Sequence, residues 1–571
     1  MGRIKQFNKN RKFRGNQYTK KAKAVAEIPA TPQAGNTNSN VGSASKRKLS
    51  YLENNVSLDG KCSSSNEGNI IIDISVLSTF LNKSVACANC KNVGSVNLFE
   101  ERGSRKGLAS KIKLECTYCK YKATTMTSNV NNKRIYNINI RFAYAMRCIG
   151  KGTMSASTLC AVMDLPPPPK FERYCKVLLD GLKEVAEGSM LNAAREAKIM
   201  EAGSDVTGVF DGSWQKRGHS SLHGVVTVTS FISGKVLDVV SYSKYCSGCN
   251  KGGEHECVKN FEGYSGGMEV VGAVDLCKKS EMTRGLRYVR YLGDGDSKGF
   301  LAVQEAKPYG NDITIEKLEC IAHVQKRMGS HLRKLCKDMK GKKLSDGKLI
   351  SGRGRLTGTE IDKLQNYYGM AIRNIGNLKE MKKAVWATYF HKHSTDENPN
   401  HGLCPMGPMS WCKYNRSLTT DAEYKHKRSL PSAVLQVMKP IYKKLADGKL
   451  LEKCLHGKTQ NQNESFNNCI WERVPKNVFI GANTIKMGVF DAVICFNDGA
   501  YKRVLVLQAL DIKPGENMKK ALRGLDMERI TKSEKATEQV TKEARMKRRS
   551  QKRKKEDKES QEQDSYGPGE Y

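Results

Sequence analysis

The amino-acid sequence predicts a mixed α/β core that is interrupted by a long, mostly helical insertion. Between about residues 205 and 320, short β-branched runs are separated by glycine and polar residues, which is typical of strands in an α/β core. From about residue 320 to residue 480, apolar residues recur mostly at helical spacing. Ahead of both regions, two CxxC pairs predict a separate metal-binding module.

The predicted core begins with three strands joined by tight connections, which indicates an antiparallel meander. These strands are Val206–Asp211, Val225–Phe231 and Val236–Tyr242. A helix near 268–279, a strand that ends at Asp294, a helix near 297–307 and a strand over 313–318 follow. The order β-β-β-α-β-α-β, with acidic residues at the ends of the first and fourth strands, is the layout of RNase H-like nuclease cores.

The charge of the chain indicates a polyanionic partner. Lys and Arg number 97 against 58 Asp and Glu, so the formal net charge is +39. The first fifty residues hold only part of this excess, so the folded body is also basic and we expect it to bind double-stranded DNA. A mean hydropathy of −0.56, without an apolar run of about 18–20 residues, argues against a membrane-spanning segment.

The cysteines and the basic clusters indicate the compartment. Nineteen cysteines without an export signal favour a reducing environment, in which clustered thiols bind metal more often than they form disulfides. The cluster Lys46–Arg47–Lys48 and the run from Arg545 to Lys555 are candidate nuclear-localisation signals, so we expect a nuclear protein. The alternative is that both are generic nucleic-acid-binding or solubilising tails.

Shifts in composition divide the chain into seven segments. The polar, basic ends lack the apolar residues needed to fold, so we expect them to be disordered. The segments are a disordered basic arm (1–70), a CxxC-CxxC zinc module for DNA binding (71–145), a helical linker (146–204), the first part of the core with an inserted CCHC knuckle (205–320), a helical Cys/His-rich insertion (321–455), the last part of the core with C-terminal helices (456–535), and a charged disordered tail (536–571).

Three carboxylates fit a site for divalent cations. Asp211 lies at the end of one predicted strand and either Asp294 or Asp296 at the end of another, each next to glycine and at the open end of the sheet. Glu464 lies on a predicted helix whose neighbouring asparagines recur at helical spacing and form a polar face. Mg²⁺ and Mn²⁺ prefer such oxygen ligands, and a pair of these ions catalyses displacement at phosphorus. A single Asp before Gly is usually a turn residue, so the prediction depends on the three acids together.

Three groups of Cys and His residues predict structural zinc sites. The first group has the spacing of a four-thiolate zinc ribbon and consists of Cys87, Cys90, Cys116 and Cys119. The second has the pattern of a compact CCHC knuckle and consists of Cys246, Cys249, His255 and Cys257. The third leaves the choice of ligands open among His391, His393, His401, Cys404 and Cys412.

Further residues have two interpretations each. Cys320 and His323 stand one helical turn apart, so they either contribute ligands to a metal site or pack beside the active site and position Asp294. Trp386 and Trp411 either pack in the core of the insertion or shield a cleaved DNA end. Basic residues between the two CxxC pairs are candidates for DNA contact, and they are Arg102, Arg105, Lys106, Lys111 and Lys113.

The ordered motifs resemble those of the Mutator-like DDE transposases, in particular their eukaryotic, zinc-rich branch. The motifs are DGSW from Asp211, GDGDSKGF from Gly293, the CxxH of Cys320 and His323, and NESFN from Asn463, and together they extend over about residues 205–480. The resemblance implies a DDE triad of Asp211, Asp294 and Glu464, a helical insertion before the glutamate, and homo-oligomers that act on paired DNA ends.

Two functions remain open from the sequence. The first is a DNA transposase that binds terminal inverted repeats and target DNA, with catalytic Mg²⁺ or Mn²⁺ and structural Zn²⁺. The second is a domesticated, zinc-dependent DNA-binding protein that acts in transcription or chromatin without catalysis. The presence of all three carboxylates favours the first. An RNA-binding zinc protein is disfavoured, because the chain is only 7% aromatic and has no RNP-type strand pattern.

Overall fold

The computed structural model describes residues 43–50, 68–216, 221–251, 253–293, 298–373, 376–407, 410–419, 424–426, 429–476 and 478–538. Its strands are β1 (Val96–Lys106), β2 (Ala109–Cys116), β3 (Lys122–Met126), β4 (Asp205–Trp214), β5 (His223–Ser230), β6 (Val236–Ser243), β7 (Arg287–Gly293) and β8 (Glu316–Glu319).

The helices in the same part of the chain are α1 (Ala44–Lys48), α2 (Ile74–Ser84), α3 (Asn137–Cys148), α4 (Thr153–Val162), α5 (Phe171–Met200), α6 (Ser247–Lys251), α7 (Gly267–Arg284), α8 (Lys298–Ala306), α9 (Ile321–Asp338), α10 (Gly358–Ala371), α11 (Leu378–Phe390), α12 (Lys413–Ser417), α13 (Ser432–Leu445), α14 (Gly448–Glu452), α15 (Asn461–Arg473), α16 (Ala482–Asp498), α17 (Arg503–Gln508) and α18 (Glu516–Thr537).

The central sheet is mixed, with the strand order β6-β5-β4-β7-β8. The first three strands form an antiparallel meander, whereas β7 and β8 pair parallel to β4 and to each other. The predicted mixed α/β class is therefore confirmed. Because side chains alternate along a strand, neighbouring β5 residues such as Val225 and Val226 belong to cores on opposite faces of the sheet.

Helices cover both faces of this sheet. One face packs against α7, which contributes Met268 and Leu276 to the core on that side. The other face packs against α5, α15 and α16, which contribute Leu182, Phe466 and Val493. Residues 146–204, predicted as a linker, are thus helical but are also part of the core, because α5 repeats apolar residues every four positions and buries them.

The helices from α9 to α14 have a hydrophobic core of their own. This core includes Val324 on α9, Leu364 on α10, Val385 on α11 and Met438 on α13. Trp386 is partly buried against it, which corresponds to the packing interpretation of that residue. These helices lie in sequence between β8 and α15, so the chain forms the whole helical insertion before it returns to the sheet as α15.

Residues 43–50 differ from the predicted disordered arm. Leu49 is fully buried and packs with Ile530 of α18. The Lys48 Nζ donates a hydrogen bond to the Gly234 carbonyl at 2.8 Å and lies 3.5 Å from the centroid of the Phe496 ring. Burial lowers the pKa of Lys48 well below its ordinary value. The Phe496 ring and the Gly234 carbonyl thus contact a lysine that the sequence assigns to an exposed basic cluster. The second basic cluster, Arg545 to Lys555, lies outside the described residues.

The part of the chain that the structure describes contains no helix that is both long and apolar enough to cross a bilayer.

Candidate active site and metal centres

Asp211 lies near the carboxyl end of β4, where the core reaches the surface. Its neighbour Phe210 is buried, and Asp211 itself is half-buried. The Nδ2 group of Asn467, on α15, donates a hydrogen bond of 2.7 Å to Asp211 Oδ2. This contact joins residues 256 positions apart in the sequence. It fixes one carboxylate oxygen of Asp211 against α15.

Polar side chains hold α15 along β4. Gln460 Nε2 donates to the Phe210 carbonyl at 2.8 Å, and Asn463 Nδ2 donates to the Val209 carbonyl at 2.9 Å. The Asn463 side-chain oxygen accepts a hydrogen bond from the Thr229 hydroxyl of β5. Further along, Trp471 Nε1 donates to Ser213 Oγ at 2.7 Å. The asparagine-rich sequence of this helix is explained by these contacts, because buried backbone carbonyls need donors.

Glu464 is exposed and lies on the same helix, three residues before Asn467. Residues three apart on a helix are surface neighbours, with Cβ atoms about 5–6 Å apart. Asn467 thus contacts Asp211 by a hydrogen bond and lies one helical turn from Glu464.

Asp294 and Asp296 both lie outside the described residues. The described part of β7 ends at Gly293, the residue before Asp294. In the parallel pairing of β7 with β4, Leu292 is the partner of Val209. Asp294 follows Leu292 by two residues in the sequence, and Asp211 likewise follows Val209 by two residues.

Sequence reasoning did not identify Glu269, which also lies beside this region. Glu269 is in the first turn of α7, and its carboxyl group packs against Gly212. A Cβ atom on Gly212 would lie 2.9 Å from the Glu269 carboxyl carbon, closer than real side chains approach. The glycine after Asp211 therefore leaves room for a close contact with an acidic side chain. The only signal in the sequence is the DG pair, which is also common in turns.

Cys320 and His323 lie at the same edge of the sheet. Cys320 is buried at the N-cap of α9, directly after β8, and His323 follows in the first turn. The last residue of β8, Glu319, is the partner of Gly293 in β7. Neither Cys320 nor His323 belongs to a potential metal-binding group among the described residues. The pair therefore follows β8 directly, next to the last residue of β7.

Among the described residues, three groups of Cys and His have ligand atoms within 4.8 Å of one another. Two of them are the predicted sets, namely Cys87, Cys90, Cys116 and Cys119, and Cys246, Cys249, His255 and Cys257. The third consists of His391, His401, Cys404 and Cys412. These groups could hold zinc. Of the five candidates for this set, the third group includes His391 and leaves out His393.

The four-cysteine group has the dimensions of a tetrahedral zinc site. With Zn–S bonds of about 2.3 Å, tetrahedral geometry puts the sulfur atoms about 3.8 Å apart. The Sγ atoms of Cys87 and Cys119 are 3.6 Å apart, and those of Cys90 and Cys116 are 3.7 Å apart. A disulfide would need about 2.05 Å. The backbone N–H of Cys119 lowers the pKa of Cys116 to about 6, which favours the thiolate that binds metal.

The four cysteines hold the loops at one end of the three-stranded β1-β2-β3 sheet. Three of the five basic residues predicted to contact DNA form ion pairs within this sheet. Arg105 pairs with Glu100, Lys111 with Glu101 at 3.1 Å, and Lys113 with Glu115 at 2.6 Å. By contrast, Lys91 and Lys120, each directly after a CxxC pair, are exposed.

We expect the double variant Cys87→Ser/Cys90→Ser to contain about one zinc ion per chain less than the wild type, because two of four thiolates are lost. Elemental analysis of the purified full-length protein measures this directly. Cys336→Ser is the matched control, since Cys336 belongs to none of the three groups and should leave the zinc content unchanged. Equal zinc content in the double variant and the wild type would show that these cysteines do not bind the metal.

The second group is formed after β6 and before α7. Its atoms approach closely, with Cys249 Sγ 3.4 Å from Cys257 Sγ and 3.3 Å from His255 Nε2. Cys246 is buried, whereas the other three residues are exposed. The loop is tied to the end of β4, because Trp214 Nε1 donates to the Ser265 carbonyl at 2.8 Å. A metal here would fix the connection that leads into α7 and Glu269.

The fold and these sites can be compared with known proteins. A profile described as Mutator-like transposase matches residues 68–412, which is more than half of the chain. The matched range includes Asp211 and all three Cys/His groups, and Glu464 follows it. Comparisons with curated proteins and with solved structures gave no match. The match over most of the described chain shows that the protein belongs to the Mutator-like transposase family.

Proposed function

We propose that the chain is a DDE-type DNA transposase that binds terminal inverted repeats and catalyses DNA strand cleavage and strand transfer. The observation that carries the proposal is the hydrogen bond between Asn467 and Asp211. It links β4, which bears Asp211, to α15, which bears Glu464. These two residues match the first and the last acid in the family's order of motifs. An RNase H-like arrangement of the sheet is part of the proposal and is supported by the strand order β6-β5-β4-β7-β8.

In this proposal Asp211, Glu464 and one of Asp294 and Asp296 form the acidic triad. Carboxylate oxygens are suited to Mg²⁺ and Mn²⁺, and the half-buried Asp211 and exposed Glu464 are accessible to such ions. When bound, a pair of these cations activates the attacking oxygen and stabilises the leaving oxygen in an in-line displacement at phosphorus. The same site would serve cleavage by water and strand transfer by a 3′-hydroxyl.

The protein's own residues set the geometry of this site. Asn467 holds one oxygen of Asp211, and Gln460 and Asn463 hold α15 against the β4 backbone. These three amides hold α15, the helix that carries Glu464, against β4. We propose that Cys320 and His323 support the second aspartate from the neighbouring strand, since Glu319 pairs with Gly293.

The charge of the chain supports DNA as the substrate. A net charge of +39 makes binding to phosphates strong and salt-dependent. Because Arg105, Lys111 and Lys113 are engaged in ion pairs, we propose that the zinc ribbon contacts phosphates through exposed basic residues, namely Arg102 and Lys106 of the predicted set together with Lys91 and Lys120. We also expect a nuclear protein that works as a homo-oligomer on paired ends.

The test is cleavage of a DNA fragment that carries the terminal repeats flanking the coding sequence. Purified full-length protein should cut at the repeat ends with Mg²⁺ or Mn²⁺ and leave the DNA intact in EDTA. A fragment with scrambled repeats should remain uncut under the same conditions. Metal-independent binding of the repeats without cutting under any condition would instead support the domesticated DNA-binding protein.

A further inference from the structure

A histidine outside the predicted metal groups lies against the third group. His426 Nε2 is 2.8 Å from Nε2 of His401, one of the four clustered residues. On its other side, His426 Nδ1 is 2.6 Å from the Asp396 carboxylate, and the His426 backbone N–H donates to the same oxygen at 2.8 Å. The side chain of His426 is only 8% exposed. Asp396, His426 and His401 thus form a continuous chain of hydrogen bonds.

The cluster at the end of this chain has the dimensions of a tetrahedral N₂S₂ site. Zn–N bonds of about 2.05 Å and Zn–S bonds of about 2.3 Å put two nitrogens about 3.3 Å apart and a nitrogen and a sulfur about 3.6 Å apart. The His391 and His401 Nδ1 atoms are 3.2 Å apart. Cys412 Sγ lies 3.4 Å from His401 Nδ1 and 3.7 Å from His391 Nδ1. Cys404 Sγ lies 3.8 Å from each of these nitrogens.

The hydrogen-bond chain determines which nitrogen of His401 faces the cluster. A carboxylate only accepts hydrogen bonds, so His426 Nδ1 carries a proton and donates it to Asp396. In a neutral His426 the Nε2 atom is then an acceptor, and His401 Nε2–H is its donor. The remaining nitrogen of His401, Nδ1, has a lone pair, and this is the atom that points to His391, Cys404 and Cys412.

The position of the His401 ring is further constrained by packing. The two rings of His401 and His426 are inclined by 18°, with centroids 5.1 Å apart, so they meet edge to edge through their nitrogens. Tyr414 stacks on the face of His401 at a centroid distance of 4.3 Å. Asn415, which is buried, donates to the carbonyls of Cys404 and Pro405 at 3.1 and 3.2 Å. The loop that carries His401 and Cys404 is therefore held in place by Tyr414 and Asn415, which are not among the four clustered residues.

We propose that His391, His401, Cys404 and Cys412 form a closed structural zinc site in the helical insertion, and that His426 and Asp396 are its positioning residues. Ligand histidines in zinc sites generally donate their second ring N–H to such an outer partner, which orients the ring. The zinc would join the end of α11, where His391 follows Phe390, to the loop before α12. The proposal does not depend on DNA cleavage by the protein.

The test compares zinc affinity in variants of the full-length protein. Zinc bound per chain is measured by elemental analysis, and the affinity of the third site by competition with a chromogenic chelator. Cys412→Ser, which removes a ligand, should lose about one zinc ion per chain. His426→Ala should keep that zinc at saturation but bind it about 10–100-fold more weakly, the usual loss when an outer partner is removed.

Two conservative variants separate positioning from general damage to the fold. His426→Gln retains an acceptor for His401 Nε2–H and should recover most of the affinity, and Asp396→Asn should show a smaller loss than His426→Ala. The matched control is His393→Ala, which removes a histidine outside the cluster and should bind zinc like the wild type. In the cobalt-substituted protein, the visible spectrum of His426→Ala should keep the bands of an N₂S₂ site.

Three results would overturn the proposal. If His426→Ala loses a whole zinc ion, as Cys412→Ser does, His426 is itself a ligand. If His426→Ala binds zinc as tightly as the wild type, it has no positioning role. If Cys412→Ser keeps all of its zinc, the group is not a metal site.

Discussion

Asp211→Asn should reduce metal-dependent cleavage of repeat-end DNA by at least about 10³-fold, which corresponds to about 4 kcal/mol of transition-state stabilisation. The substitution preserves the shape of the side chain but removes the charge that would bind Mg²⁺ or Mn²⁺. Glu464→Gln should have an effect of the same size. Both variants should bind the repeats as well as the wild type, since an acidic side chain does not attract phosphate. Cleavage rates and band-shift affinities measured side by side test the two statements.

The chain offers a matched control for Glu464. Glu472 lies on the same helix, is also exposed, and lies next to Arg473 on a side of α15 away from the β4 contacts. Glu472→Gln should cleave DNA like the wild type. Equal loss of cleavage in Glu472→Gln and Glu464→Gln would mean that the helix as a whole, not the carboxylate at 464, is needed.

The same assay decides between Asp294 and Asp296. We expect one of Asp294→Asn and Asp296→Asn to lose cleavage as Asp211→Asn does, and the other to retain it. The equal two-residue spacing from the paired Leu292 and Val209 favours Asp294 as the essential residue. Full activity in both variants would contradict the triad.

Asp491→Ala should destabilise the folded protein by about 3–5 kcal/mol, the usual cost of removing one partner of a buried ion pair. Asp491 is 3% exposed and is the acceptor for two arginines. Arg503 donates to it at 2.6 and 2.9 Å, and Arg473 also donates to Oδ2. The Tyr144 hydroxyl adds a hydrogen bond of 2.8 Å. Urea unfolding of the variant and the wild type at pH 7 measures the loss.

A surface ion pair is the control for this prediction. Asp362 pairs with Arg333, and both side chains are more than a third exposed. Asp362→Ala should cost no more than about 1 kcal/mol, because water screens exposed charges. If Asp491→Ala destabilises the protein no more than Asp362→Ala does, the buried network does not stabilise the fold as its geometry implies.

The network also predicts the dependence of stability on pH. Burial alone would raise the pKa of Asp491, but the charges of Arg503 and Arg473 outweigh it, so the pKa is lowered below its ordinary value. A lowered pKa gives stability that is fully present above the unfolded pKa of about 3.9 and is lost as the pH falls towards the folded value. The wild type should therefore lose stability below about pH 4, and Asp491→Asn should lack this component of the loss.

Asp491 also connects the core to the candidate site. Arg473 is the last residue of α15, the helix that carries Glu464 and Asn467. The buried ion pair therefore anchors the C-terminal end of the helix that packs along β4. Sequence reasoning did not identify this network, because charged residues on helices are usually solvated and nothing local marks these three as buried.

The metal groups show how far local spacing predicts a site. The first two Cys/His groups were predictable from the sequence, because their members come in pairs that are close in sequence and that a tight turn brings together. In the third group, spacing could not decide between His391 and His393. The structure selects His391, which ends α11 on the side of the cluster. His426 is 25 residues from His401 and was not foreseen.

The sequence by itself determined the mixed α/β class and the residues of the first two Cys/His groups, because helical period, strand alternation and CxxC spacing are properties of a few neighbouring residues. Only the tertiary structure decided that Asn467 contacts Asp211, that Glu269 packs on Gly212, and that Leu49 is buried against Ile530. Such contacts join residues far apart in the chain. They depend on how whole helices pack against the sheet, and no local pattern records that packing.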